Sequence, residues 1–146
     1  MNILVVNSKY PPEYAGSALR SHNTAIRLKE KYNVKFRVLS SSIEYNKSSV
    51  YNIDGISINR VANKINIRFL NLRNMLFEAI PTIIFLIIHY KWYDIIHVYG
   101  NVIVTSTAIS FAKITKKPLL IELVNLVEEP KFFEPKTVSL LFGTGF

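Results

Sequence analysis

Two groups of residues in this chain have the types and spacing to do chemistry. His97 and Tyr99 stand two apart in the run Tyr93-Asp94-Ile95-Ile96-His97-Val98-Tyr99-Gly100. In a strand, residues two apart share a face, so an imidazole that titrates near neutrality would sit beside a phenol. The second group is Gly16, Ser17 and Arg20, where a helix is expected to begin, with Ser17 as its N-cap. A helix N-terminus offers free N–H groups and a positive dipole end, which favour an anion. Arg20 occupies the first turn, where an acid is the usual preference, and adds to that potential. Gly16 can bring the backbone close to a ligand or take a positive φ. The plainer alternative, a stiff loop with a solvated Arg20 and a structural His97, stays open.

Other titratable residues read more simply. His22 falls on the apolar side of the first helix, among Ala18, Leu19, Ala25 and Ile26, and is expected to be a hydrogen-bonded structural histidine. His89, among Phe85, Ile88, Tyr90 and Trp92, reads the same way. Glu122 lies inside a strand and needs a partner if buried. Glu128 and Glu129, before Pro130, read as solvated loop residues.

The elements that must hold the two groups open with Ile3-Leu4-Val5-Val6, a continuous apolar run typical of a strand buried on both faces. The loop Ser8 to Gly16 is longer than strand-to-helix connections usually are, and Pro11 and Pro12 stiffen it. Helical spacing over Ser17 to Tyr32 is followed by a strand at Val34, Phe36, Val38 and Leu39, ended by Ser40-Ser41-Ser42. Asp54-Gly55 between partly alternating apolar residues predicts a hairpin, with Ile56, Ile58 and Arg60 on one face of the return strand. Residues 67 to 90 read as helix, broken into two near Pro81. After the His97 strand, Asn101 is placed to cap a helix from Val102 to about Ile114, and Lys117-Pro118 introduces a strand over Leu119 to Val124. Asn125 opens the loop beyond it. The pattern predicts a Rossmann-like α/β domain over residues 1 to 130, an open parallel sheet with helices on both faces and a β-hairpin insertion. Ligands of such sheets bind at the carboxyl ends of the strands.

Composition bounds the function. With 146 residues and 49% hydrophobic content, the chain is sized for one core. It has no cysteine, and its three histidines are scattered, so disulfides and thiolate sites are excluded and no metal motif is legible. The net charge is +8. Residues 1 to 73 carry twelve Lys and Arg against four Asp and Glu, and residues 74 to 146 carry six of each, so all the excess lies in the first half. No nucleic-acid-binding motif accompanies it, and nucleic acid is not expected as a partner. Beside the apolar stretch Ala79 to Tyr90, too short to span a bilayer, the basic half suggests peripheral contact with an anionic membrane surface. Met1-Asn2 leads directly into a strand with no signal-peptide pattern, so a cytoplasmic setting is expected, with any attachment on the inner membrane face.

The opening strand with Pro11-Pro12 and Gly16, the run Tyr93 to Gly100, and Lys117-Pro118 before an apolar strand together resemble the N-terminal domain of family 4 type glycosyltransferases of the GT-B fold. The resemblance covers residues 2 to about 130. It implies the acceptor-side half of a retaining, metal-independent glycosyltransferase that moves sugar from a nucleotide-sugar donor to a glycan or lipid-linked acceptor. No cofactor is implied beyond that co-substrate. Where the family has a Gly-Gly pair in the first loop, this chain has Ala15-Gly16, and where the family has His-x-His, it has His97-Val98-Tyr99. The resemblance therefore gives Tyr99 and His97 as catalytic positions and Ala15, Gly16 and Gly100 as substrate-binding positions, to which the helix N-terminus adds Ser17 and Arg20, and the loops at the strand ends add Pro12 and Asn125.

The family's donor-binding domain would follow the last strand, and this sequence stops at Phe146. The expectation is that residues 131 to 146 form a tail at a truncation point, or that the donor domain is encoded separately, and that the chain alone does not transfer sugar. The alternative is a non-catalytic Rossmann-like module that binds an anion or a partner. A self-contained nucleotide-binding domain is disfavoured because no Gly-x-Gly-x-x-Gly follows the first strand.

Overall fold

The computed structural model describes residues 1–13, 15–42, 47–62, 71–100 and 102–122. Within them the order is β1 (Asn2–Asn7), α1 (Gly16–Tyr32), β2 (Lys35–Ser42), β3 (Ser49–Ile53), β4 (Ile56–Ala62), α2 (Asn71–Ile88), β5 (Ile95–Tyr99), α3 (Ile103–Thr115) and β6 (Leu119–Glu122). The strands form one sheet in the order β3-β4-β2-β1-β5-β6, parallel throughout except for the β3–β4 hairpin at one edge. This is the expected Rossmann-like open sheet with its hairpin. Asn101, Asn125 and the segment 131 to 146 lie outside the described residues.

Alternation along the strands divides the core in two. Leu4, Val6, Leu39, Val61, Ile96 and Val98 point to the face covered by α2 and α3, where Leu86, Val104, Ala108 and Ala112 meet them. Ile3, Val5, Phe36, Val38, Ile56, Ile58 and Tyr99 point to the opposite face, packed by Ala25, Ile26 and Leu28 of α1. Each large aliphatic side chain so buried contributes roughly 1.5–3 kcal/mol relative to exposure.

Several boundaries differ from the sequence expectation for physical reasons. The N-cap of α1 is Ala15, in extended conformation with no side-chain hydrogen bond, and the helix begins at Gly16, so Ser17 is already helical. The Ala15 carbonyl accepts the Leu19 N–H at 3.1 Å, which is enough to start the helix without a polar cap. The serines Ser40, Ser41 and Ser42 do not end β2; they continue it, because β4 lies alongside and pairs them with Arg60, Val61 and Ala62. Pro81 does not divide the helix: α2 runs through it, with Glu78, Thr82 and Leu86 buried at intervals of four on either side. Packing of that face outweighs the one hydrogen bond a proline removes. The N-cap of α3 is Val102, where Thr105 Oγ1 accepts the Val102 N–H at 2.7 Å and donates to its carbonyl at 2.8 Å. The Asp54-Gly55 turn is as expected, with φ of 51° and 72°, the positive pair a two-residue hairpin turn requires.

Candidate functional site

The first loop is held from below by buried polar groups. Tyr10 is fully buried, and its hydroxyl lies 3.0 Å from Nδ1 of His22, whose Nε2 lies 2.9 Å from Asp54 Oδ2. Both ring nitrogens of His22 are therefore partnered, one by the Tyr10 hydroxyl and the other by the Asp54 carboxylate. Burial pushes the Tyr10 hydroxyl far above the ordinary tyrosine range, and it remains a donor. His22 is thus the structural histidine the sequence suggested. A second set joins the loop to the hairpin. Glu13 and Arg60, both buried, form an ion pair at 3.3 Å. Arg60 donates to the Tyr51 hydroxyl, which donates to the Pro11 carbonyl, each at 2.7 Å. Ser41 Oγ donates to the Ser8 carbonyl at 3.0 Å. At the base, Asn7 Nδ2 donates to Ser21 Oγ on α1 at 3.1 Å.

On the upper side of this platform, Pro12 and Gly16 are exposed and Ala15 and Ser17 half-buried. Gly16 is the first helical residue and does not take the positive φ considered for it. A Cβ built there would meet nothing within 4 Å, so the space above it is open. The left-handed glycine is Gly100, φ 80°, where β5 turns. Its N–H donates to the Glu122 carbonyl at 3.3 Å, and its α-carbon faces Ser8, so the loops after β1 and β5 abut.

The second part of the site comes from the pairing of β5 with β6. His97 lies beside Leu120, and Tyr99 beside Glu122. Paired residues of a parallel ladder share a face, so His97, Tyr99 and Glu122 all project to the side of α1. The His97 and Tyr99 rings are 4.3 Å apart. Tyr99 is 1% exposed, with its ring in the core beneath the site. Arg20, from the first turns of α1, forms an ion pair with Glu122, and the other Glu122 oxygen is 3.6 Å from His97 Nε2. Burial lowers the His97 pKa to about 4, so the ring is neutral at physiological pH. Its Nε2 is buried without a hydrogen bond. Burial raises the Tyr99 hydroxyl, against the pull of Arg20.

Thus the structure brings together Arg20, His97, Tyr99 and Gly100 with the first-loop positions at one end of the sheet. Glu122 is the functional candidate that residue-by-residue reading passed over. Its place follows from the β5–β6 register, which sets it beside Tyr99 and which no local sequence pattern specifies. The Glu13–Arg60–Tyr51 set was also missed, since its members are far apart in the chain. Chemically, the corner offers a neutral imidazole, a carboxylate, an exposed guanidinium and the free N–H groups of a helix N-terminus. Such a set can bind sugar-type hydroxyls next to an anionic group.

No known family profile and no curated protein sequence matches this chain. Among solved structures it is similar to the UDP-GlcNAc 2-epimerase of Methanocaldococcus jannaschii, with a TM-score of 0.60 and 12% identity over 94% of this chain and 35% of that one. It is also similar to the UDP-GlcNAc 2-epimerase of Neisseria meningitidis bound to UDP-GlcNAc, with a TM-score of 0.58 and 15% identity over 97% of this chain and 38% of that one. The chain therefore spans little more than a third of the length of these neighbours, and at such identities the likeness is one of fold: a GT-B-like, Rossmann-type half.

Proposed function

We propose that this domain is the acceptor-side half of a retaining glycosyltransferase that uses a nucleotide-sugar donor, with its ligand seated at the carboxyl ends of β1, β5 and β6. The observation that carries the reading is the convergence of Arg20, His97 and Glu122 there, with the His97 Nε2 buried and lacking a hydrogen bond. In this reading His97, uncharged, exchanges a hydrogen bond with a sugar hydroxyl, and Tyr99 holds its ring from below. Arg20 and the N–H groups at Gly16 and Ser17 receive the anionic part of the ligand, with Pro12, Ala15 and Gly100 as the walls. Stabilising a departing diphosphate is the main electrostatic task of such a reaction, and it falls to a second, donor-binding domain on the same or a separate polypeptide.

Ligand-observed NMR and calorimetry with UDP, UDP-GlcNAc and free sugars test this. Sugar-dependent binding that His97→Ala and Arg20→Gln each weaken about tenfold is expected, a loss of about 1.4 kcal/mol apiece. The 146-residue chain alone should turn over no nucleotide sugar above a blank. Turnover by the chain alone, or binding that ignores both variants, would overturn the reading. Binding of phosphate or UDP with no sugar contribution would favour a non-catalytic anion-binding module. The neighbours' names favour a second reading, epimerisation of a nucleotide sugar at C2; it is distinguished by needing no acceptor once a donor domain is supplied.

A further inference from the structure

From the opposite side of the sheet, we propose that the outward face of α2 rests on an anionic lipid surface. Between Glu78 and His89 that helix presents no polar side chain to solvent, since Glu78 and Thr82 are both buried. Ile80, Ile83, Ile84, Ile87 and Ile88 stand outward at 39–70% exposure. A helix this apolar on its outer side is one that something covers.

Charge identifies the cover. Between Glu78 and Glu122 the chain has four lysines, Lys91, Lys113, Lys116 and Lys117, against one acid, Asp94. Asp94 is engaged at the start of β1, where it accepts the Asn2 N–H at 2.7 Å. Lys91 and Lys116 are exposed at the carboxyl ends of α2 and α3. Those ends are joined by the Tyr90–Phe111 ring contact, and Lys117 Nζ lies 4.4 Å from the Tyr90 ring centre. An apolar stripe bordered by lysines and an aromatic ring fits the boundary between acyl chains and anionic headgroups. The sequence expectation placed the relevant charge in residues 1 to 73; the lysines beside this face belong instead to residues 91 to 117. A second copy of the chain is a poorer match, because a self-complementary contact brings only this face's own residues and so no carboxylate to meet the lysines. Among the described residues no helix is long and apolar enough to cross a membrane, so the contact lies along the surface.

Co-sedimentation of the full chain with phosphatidylcholine vesicles, with and without phosphatidylglycerol, tests the proposal. Capture is expected on the anionic vesicles, falling about tenfold when salt is raised to the point where screening is strong. Ile84→Glu with Ile87→Glu should abolish it, and Lys91→Glu with Lys116→Glu should remove the preference for anionic lipid. Circular dichroism checks that each variant is folded; if the paired isoleucine change is not, Ile88→Gln, at the most exposed position of the stripe, gives the same reading with a smaller loss. No capture, equal capture on both vesicles, or a dimer in sedimentation velocity that the isoleucine variant dissociates would overturn the proposal, the last by giving the face to a second copy.

Discussion

The two polar regions on the α1 side of the sheet are built from similar residues and end in opposite states. Under the first loop, Tyr10, His22 and Asp54 form one hydrogen-bonded set, and Glu13 and Arg60 pair their charges in the interior, at 1% and 5% side-chain exposure, although the Glu13 oxygens and Arg60 Nε make no hydrogen bond. At the β5–β6 corner the same three residue types, His97, Glu122 and Arg20, leave an imidazole nitrogen with no hydrogen bond and a guanidinium largely in solvent. What separates the two regions is solvent: charges paired in the interior fix a structure, whereas the Arg20–Glu122 pair stands where water, and so a ligand, can reach it. The first region supports the loop, and the second is the one open to solvent.

The sharpest way to break that contrast is at the support. Arg60→Met leaves Glu13 buried without its cation, and a loss of about 3–5 kcal/mol in unfolding free energy is expected. Urea denaturation measures it, and adding Glu13→Gln should recover much of the loss. A cost near zero would remove the distinction between the two regions.

A somewhat smaller effect is expected from His97 as pH falls. Its pKa in the folded chain, about 4, lies below the ordinary value of 6.5. Between those values the unfolded chain binds more protons than the folded one, so acid favours unfolding. Stability is then complete above about pH 6.5 and is lost as pH drops toward 4, by about 3 kcal/mol in all. Comparing the pH profiles of the wild type and His97→Asn isolates this share, and parallel profiles would contradict it.

The smallest change in stability is expected at the site itself. Glu122→Gln breaks the pair with Arg20, but the guanidinium is 61% exposed, so the cost should stay within about 1 kcal/mol. Calorimetric titration with UDP should instead show tighter binding, because the competing carboxylate charge is gone. A large stability loss with unchanged binding would move this corner into the same class as the support.

What the sequence made legible is what local spacing controls. The apolar run Ile3 to Val6, the Asp54-Gly55 turn and the alternation of Ile56, Ile58 and Arg60 each depend on neighbours within a few residues, and each came out as expected. Tertiary packing decided the others. Pro81 reads as a break until the buried face of α2 is known, and Ser40 to Ser42 read as an end until β4 pairs with them. At the site, the sharing of a face by His97 and Tyr99 follows from a two-residue period. Glu122 joins them only through the β5–β6 register, which no local pattern specifies. The link from Glu13 to Arg60 is likewise invisible along the chain, because two strands and a helix intervene.

The dependence of the first loop on the hairpin has a further consequence, in the timing of folding. The Tyr51 hydroxyl that holds the Pro11 carbonyl arrives forty residues later in the chain, and Asp54 arrives thirty-two after His22. Contacts of that separation form only after the intervening chain has closed, and domains emerge from synthesis amino terminus first. During synthesis, therefore, β1 and α1 exist before the residues that shape the loop between them, and that loop acquires its final form only once residues 51 to 60 have docked.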